Sequence, residues 1–143
     1  MKLEYVPLFT LVNQTVNMKV KIDTKEKFYV VTPMESTFSA NIAADLSQLV
    51  TKFLQQEIKN VVLKFSAVEI IEDKGAEELS QIQQQFYENN ASFVICEIKP
   101  SIEAILEELE LLEVMNIAPT ESEAWDIVQM EEIERELLDD ETE

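Results

Sequence analysis

The sequence predicts an α/β fold, an α+β mixed sheet of about five strands with four helices in the order β-β-α-β-α-β-α-β-α. Three observations carry that prediction. Apolar, β-branched runs at 61–65 and 92–98 are separated by stretches whose apolar residues recur at helical spacing, which requires parallel strands joined by crossovers. Residues 18–32 hold two strand-like runs joined by a short polar turn, an antiparallel opening pair. The chain's only glycine, Gly75, falls where an apolar run hands over to a helical pattern, a position where freedom of φ or close backbone approach is useful.

In chain order, residues 1–17 fit no clear period and are expected to be an N-terminal arm, or the product of an upstream start codon. Val20 and Ile22 alternate with Lys19, Lys21 and Asp23, the pattern of a half-buried strand. Phe28 to Thr32 is aromatic and β-branched, and Pro33 ends it. Ser39 is expected to cap the first helix, whose inward face is Ile42, Ala43, Leu46, Leu49, Val50, Phe53 and Leu54. Val61 to Phe65 reads as a buried strand, and Leu79, Ile82 and Phe86 mark a second helix running to about Asn89.

Ser92 to Ile98 is the next strand, and Pro100 sits where proline is tolerated, in the first turn of a third helix with Ile102, Ile105, Leu106 and Leu109 inward. Val114 to Ile117 is expected to be an edge strand closed by Pro119. Thr120 with Glu123 forms a capping box for the last helix, whose buried face is expected to be Ala124, Ile127, Val128 and Met130. The expected division is therefore an arm at 1–17, one domain at 18–132, and an acidic tail at 133–143 continuing the last helix.

A chain of 143 residues suits one domain. No apolar run approaches the roughly 18 to 20 residues of a membrane span, and the N-terminus lacks the cleavage pattern of a secretory signal, so a cytoplasmic protein without membrane insertion is expected. The net charge of −18 is uneven. Residues 1–102 carry 13 acidic and 10 basic side chains, whereas residues 103–143 carry 16 acidic ones and only Arg135. Such a balance opposes binding to nucleic acid, which needs Lys and Arg to neutralise phosphate. The acidity fits a basic protein partner or a solvated face.

Histidine is absent, which removes the commonest general base and metal ligand. One glycine cannot build a phosphate loop. Cys96 lies in an apolar run and reads as a buried, inert thiol. Adjacent carboxylates such as Glu107 with Glu108, or Glu131 with Glu132, point to different helix faces and read as solvent coating. No enzyme activity, cofactor or metal is expected. The stretch with a local reason to be functional is Glu72-Asp73-Lys74-Gly75, at the strand-to-helix junction where open α/β sheets usually dock ligands and partners. Glu72 and Asp73 equally suit simple caps of a helix start.

The pattern Val61-Val62-Leu63-Lys64-Phe65 through Ile71, followed by Glu72-Asp73-Lys74-Gly75, resembles the STAS domain, the fold of bacterial anti-sigma factor antagonists. In that family Asp-Ser-Ser-Gly opens the second helix. The similarity covers about Met18 to Gln129 and includes TFSANIAADL before the first helix, the Pro100-Ser101 start of the third helix, and an ending like the C-terminal helix of a stand-alone subgroup.

The resemblance implies protein binding in transcription-regulating signalling, switched when a partner kinase phosphorylates the Ser before the Gly. Here that position is Lys74, which has no hydroxyl and carries the charge opposite to phosphoserine, so the switch is expected to be missing. Glu72 stands for the family's Asp, Asp73 for its first Ser, and Ser39 occupies a place where Asp is frequent. The expected surface is partner-binding and comprises Ser36, Ser39, Asn41, Glu72, Asp73, Lys74 and Gly75, with a kinase-like anti-sigma factor as the partner class and homodimerisation left open. The alternative is an assembly component that interacts through its acidic C-terminal helix.

Overall fold

The computed structural model describes residues 2–6 and 18–141. Alternation in β2 (Val20–Thr24) turns Val20 and Ile22 to one face, and β3 (Phe28–Pro33) pairs with it antiparallel so that Ile22 lies opposite Val31. The β-branched and aromatic β3 then pairs parallel with β5 (Asn60–Lys64), which pairs parallel with β7 (Phe93–Cys96). Strands so joined need crossovers, and the helices supply them.

Ser39 caps α1 (Ala40–Thr51) as expected, its Oγ accepting the Ile42 N–H at 3.3 Å. The chain continues as a 3-10 turn over Lys52–Gln55 that buries Leu54 and stacks Phe53 on Tyr29, with ring centroids 4.0 Å apart. Leu79, Ile82 and Phe86 are the buried face of α2 (Asp73–Glu88), and Ile102 and Leu106 that of α3 (Pro100–Glu108), which has Pro100 in its first turn. These three helices share one core with Val20, Ile22, Val31, Val61, Leu63, Phe93 and Ile95 on one sheet face. The other face, with Phe28, Val30, Val62, Val94 and Cys96, packs on Ala124 and Val128 of α4 (Glu121–Glu141). Thr120 caps α4, its Oγ1 accepting the Glu123 N–H at 3.1 Å, and the Glu123 carboxylate accepts from the Thr120 hydroxyl at 3.0 Å in place of the backbone N–H that a full capping box would use.

One strand is added to the expected sheet, and two expectations are corrected. Lys2–Val6 forms β1, an edge strand running antiparallel to β2 from Lys2 opposite Thr24 to Val6 opposite Val20. No period marks it because it is set by its neighbour's free edge rather than by its own alternation. The remainder of the expected arm, residue 1 and residues 7–17, lies outside the described residues, as do residues 142 and 143. Val114 to Ile117 is not one strand: Leu112–Val114 is a 3-10 turn with Val114 exposed, and only Ile117–Ala118 forms β8, parallel to β7. Met130 is exposed, not buried, because two residues beyond Val128 a helix has turned about 200°.

The main sheet therefore runs β1-β2-β3-β5-β7-β8. Three of its corners are turned by residues with left-handed backbones that are not glycine: Asn90 (φ 57°), Glu97 (φ 59°) and Glu110 (φ 60°). Asn90 and Glu110 end α2 and α3, where the next N–H reaches back to the carbonyl of Phe86 (3.0 Å) and of Leu106 (2.8 Å).

Candidate functional site

The two segments expected to act together are separated by more than thirty residues, and a two-stranded ribbon joins them. β4 (Thr37–Phe38) leaves the end of β3, and β6 (Ile70–Ile71) leaves the end of β5 after a turn through Phe65 and Val68. They pair parallel, with Thr37 opposite Ile70 and Phe38 opposite Ile71. The Ser36 carbonyl accepts from Glu69 (2.8 Å) and Ile70 (3.0 Å), and the Phe38 carbonyl accepts from Glu72 (3.0 Å). Both segments read as loop and short apolar run in sequence, because two-residue strands are too short to show a period.

Gly75 holds the junction together. α2 begins at Asp73, so Gly75 lies inside its first turn, and its φ is not in the left-handed region. Its role is close approach: a Cβ there would sit 2.6 Å from the Phe38 carbonyl oxygen, 3.1 Å from Phe38 Cδ2 and 3.3 Å from the Ser39 carbonyl oxygen. The helix start is thereby seated directly on the backbone that caps α1. Phe38 is fully buried against Phe65, with centroids 5.1 Å apart, and anchors the contact from below.

Above this floor the expected residues divide. Ser36, Asn41, Glu72, Asp73 and Lys74 are exposed, Ser39 is half-buried as the α1 cap, and Gly75 is buried. Glu72 occupies the N-cap position of α2, yet its side chain makes no capping hydrogen bond, so only its backbone carbonyl closes the first turn, to Ala76 at 2.9 Å. Its carboxylate is thus not committed to the helix. Asp73 stands in the first turn, where its charge complements the helix dipole.

The start of α3 completes the rim. Lys99 Nζ donates to the Ser66 carbonyl at 2.7 Å, and Ser101 Oγ donates to the Glu69 carbonyl at 3.4 Å. Loops from three successive strands therefore converge at the C-terminal edge of the sheet, the edge anticipated for docking. Sequence reasoning missed Ile70, a 58% exposed apolar side chain in the middle of this polar surface. Ile70 and Ile71 are the same residue type side by side, and only the ribbon decides that Ile71 faces in and Ile70 out.

Chemically this surface offers exposed carboxylates, an ammonium, hydroxyls and one apolar contact, a set suited to recognition. Among the described residues no cluster of His, Cys, Asp and Glu could hold a metal ion. Cys96 is buried, and burial first, then the charges of Glu97 and Glu121, push its thiol up to about 12, which keeps it protonated. No helix among the described residues is long and apolar enough to cross a membrane.

A second polar cluster lies at the opposite edge, where strands begin. Arg135 Nη2 donates to Asn60 Oδ1 (3.4 Å) and Ser92 Oγ (3.3 Å), Asn60 Nδ2 donates to Glu132 (2.7 Å), and Ser92 Oγ donates to Glu131 (2.6 Å), whose other oxygen accepts from Asn116 Nδ2 at 2.9 Å. Glu131 and Glu132 are thus not solvent coating: they clasp α4 to the sheet. Glu107 and Glu108 are exposed, as expected.

Comparison with known proteins agrees with this fold. The STAS domain family model matches residues 19–124. No curated relative matches by sequence. A Thermotoga maritima protein assigned as an anti-sigma factor antagonist superposes with a TM-score of 0.64 at 21% identity, over 76% of this chain and 92% of that one. An anti-sigma factor antagonist from Mycobacterium paratuberculosis gives 0.67 at 16% identity, over 82% and 99%. SpoIIAA of Bacillus, in its phosphorylated form, gives 0.57 at 13% identity, over 76% and 98%. At these identities the superpositions establish a shared fold.

Proposed function

The chain belongs to the STAS domain family, and we propose that it is a non-enzymatic, protein-binding regulator of the anti-sigma factor antagonist kind, docking its partner through Ser36, Ser39, Asn41 and Glu72 to Gly75. The observation that carries this reading is the ribbon with its Gly75 contact, which makes one continuous surface of two distant segments. Solved neighbours being anti-sigma factor antagonists supports a protein as the partner, and a kinase-like anti-sigma factor as its class. One solved neighbour is known in a phosphorylated form. In this chain Lys74 precedes the glycine, exposed at the first turn of α2.

An ammonium there accepts no phosphoryl ester at an oxygen and adds positive charge where phosphorylation would add negative charge. Docking is therefore constitutive at this position, and any regulation acts elsewhere. The test is capture from the source cell with wild type, Lys74→Glu and Lys74→Ser side by side, read by mass spectrometry and followed by affinity measurement with the captured partner. A kinase-like anti-sigma factor held by wild type and weakened tenfold or more by Lys74→Glu is the expected result. Equal binding by all three forms would remove the Glu72 to Gly75 start from the interface.

A further inference from the structure

The outward face of α4 is the part of the molecule that neither the core nor the proposed docking edge accounts for. Its inward face is narrow: Ala124 and Val128 are buried, Ile127 is half-buried, Trp125 packs against Phe28 with ring centroids 6.3 Å apart, and polar contacts from Glu121 to Lys64 and through Glu131, Glu132 and Arg135 tie the two ends to the sheet. On the other side Met130, Ile133 and Leu137 are 59%, 56% and 57% exposed. Their spacing of three and four residues puts them in one stripe, the a/d step of a helix-packing seam. Asp126 and Glu134, each four residues from Met130, are exposed alongside it.

The charge around the stripe says what can cover it. Residues 121–141 hold ten carboxylates and one cation, Arg135, and that cation is turned inward to Asn60 and Ser92. No basic residue stands in the last turn, so the negative end of the helix dipole meets further negative charge. A second copy laid on this stripe would bring carboxylates against carboxylates in either orientation. A surface with Lys or Arg flanking an apolar seam would be attracted to the stripe and would also relieve the helix end.

We propose that Met130, Ile133 and Leu137 form a second docking surface, which takes a basic amphipathic helix of a protein partner. α4 runs opposite to the strands and passes their first residues at Arg135, so the stripe's end lies at the other edge of the sheet from Glu72 to Gly75. The two surfaces can be occupied together, and this one does not rest on the first.

The test uses the full chain and a dye-labelled synthetic peptide with leucine at heptad a and d positions and lysine at the flanking ones, against a control of the same composition with its leucines scattered. Anisotropy titration at physiological salt is expected to show wild type preferring the amphipathic peptide at least tenfold, and an Ile133→Gln, Leu137→Gln variant losing that preference with its helix content by circular dichroism unchanged. Equal affinity for both peptides, or preference retained in the glutamine variant, would overturn the proposal. So would sedimentation of wild type as a dimer that the glutamine variant converts to monomer, since a second copy would then own the face.

Discussion

Replacing Gly75 by alanine separates two roles that glycine could have had at this junction. In a helix interior alanine is favoured over glycine by about 1 kcal/mol, so if the residue were only a permissive link the variant would be more stable. The new Cβ, however, would lie 2.6 Å from the Phe38 carbonyl oxygen, well inside contact distance, and the obstacle is backbone rather than a side-chain end that can swing away. Relieving such an overlap costs about 1 to 3 kcal/mol. The same carbonyl accepts the Glu72 N–H at 3.0 Å, a bond worth about 1 kcal/mol that the shift would lengthen.

The net expectation is a loss of about 1 to 2 kcal/mol, which for a urea m-value near 2 kcal/mol per M lowers the unfolding midpoint by about 0.5 to 1 M. Amide exchange adds a local readout, with protection at Glu72 falling more than at Ile82 in the middle of α2. An unchanged or raised midpoint would refute the close-approach argument and leave Gly75 a dispensable helix residue.

Two further outcomes follow from the other face. Arg135→Ala removes hydrogen bonds to Asn60 and Ser92 and should cost about 1 to 2 kcal/mol in urea unfolding, with Ser92→Ala in the same chain adding less than its separate cost because the two share a bond. Lys64 is partly buried, which works to lower its pKa, but the hydrogen bond to Glu121 at 3.2 Å and the charges of Glu97 and Glu121 outweigh burial and raise it above the ordinary 10.5. A raised folded-state pKa means stability fully present below about 10.5 and lost as pH climbs through the folded value. Glu121→Gln should therefore be less stable than wild type at pH 8, with the gap closing above pH ~10.5 in urea midpoints taken along the series.

Most of the fold was legible because its elements are long enough to show a period. Val61 to Phe65 and the Leu79, Ile82 and Phe86 stripe are visible in isolation, and strands separated by helices leave few topologies. Elements defined by a neighbour were not legible. β4 and β6 are two residues each and exist because they pair with one another, and β1 is fixed by the edge of β2. Glu131 and Glu132 looked like coating because their partners Ser92 and Asn60 lie 39 and 72 residues away in the chain. At the candidate site, the residue types at 36–41 and 72–75 could be named from sequence, whereas their adjacency and the exposure of Ile70 needed the ribbon.

The left-handed corners at Asn90, Glu97 and Glu110 have an effect outside the folded state. Each non-glycine residue held there carries about 1 to 2 kcal/mol of backbone strain, less for asparagine, that glycine would avoid. Yet glycine is the residue that gains most freedom on unfolding, and a chain with only one has a correspondingly narrower denatured ensemble. The strain at the corners and the stiffness of the unfolded chain oppose each other. The fold's stability is thus set partly by conformations the unfolded chain never samples, and substituting glycine at Glu97 or Glu110 would trade one contribution against the other.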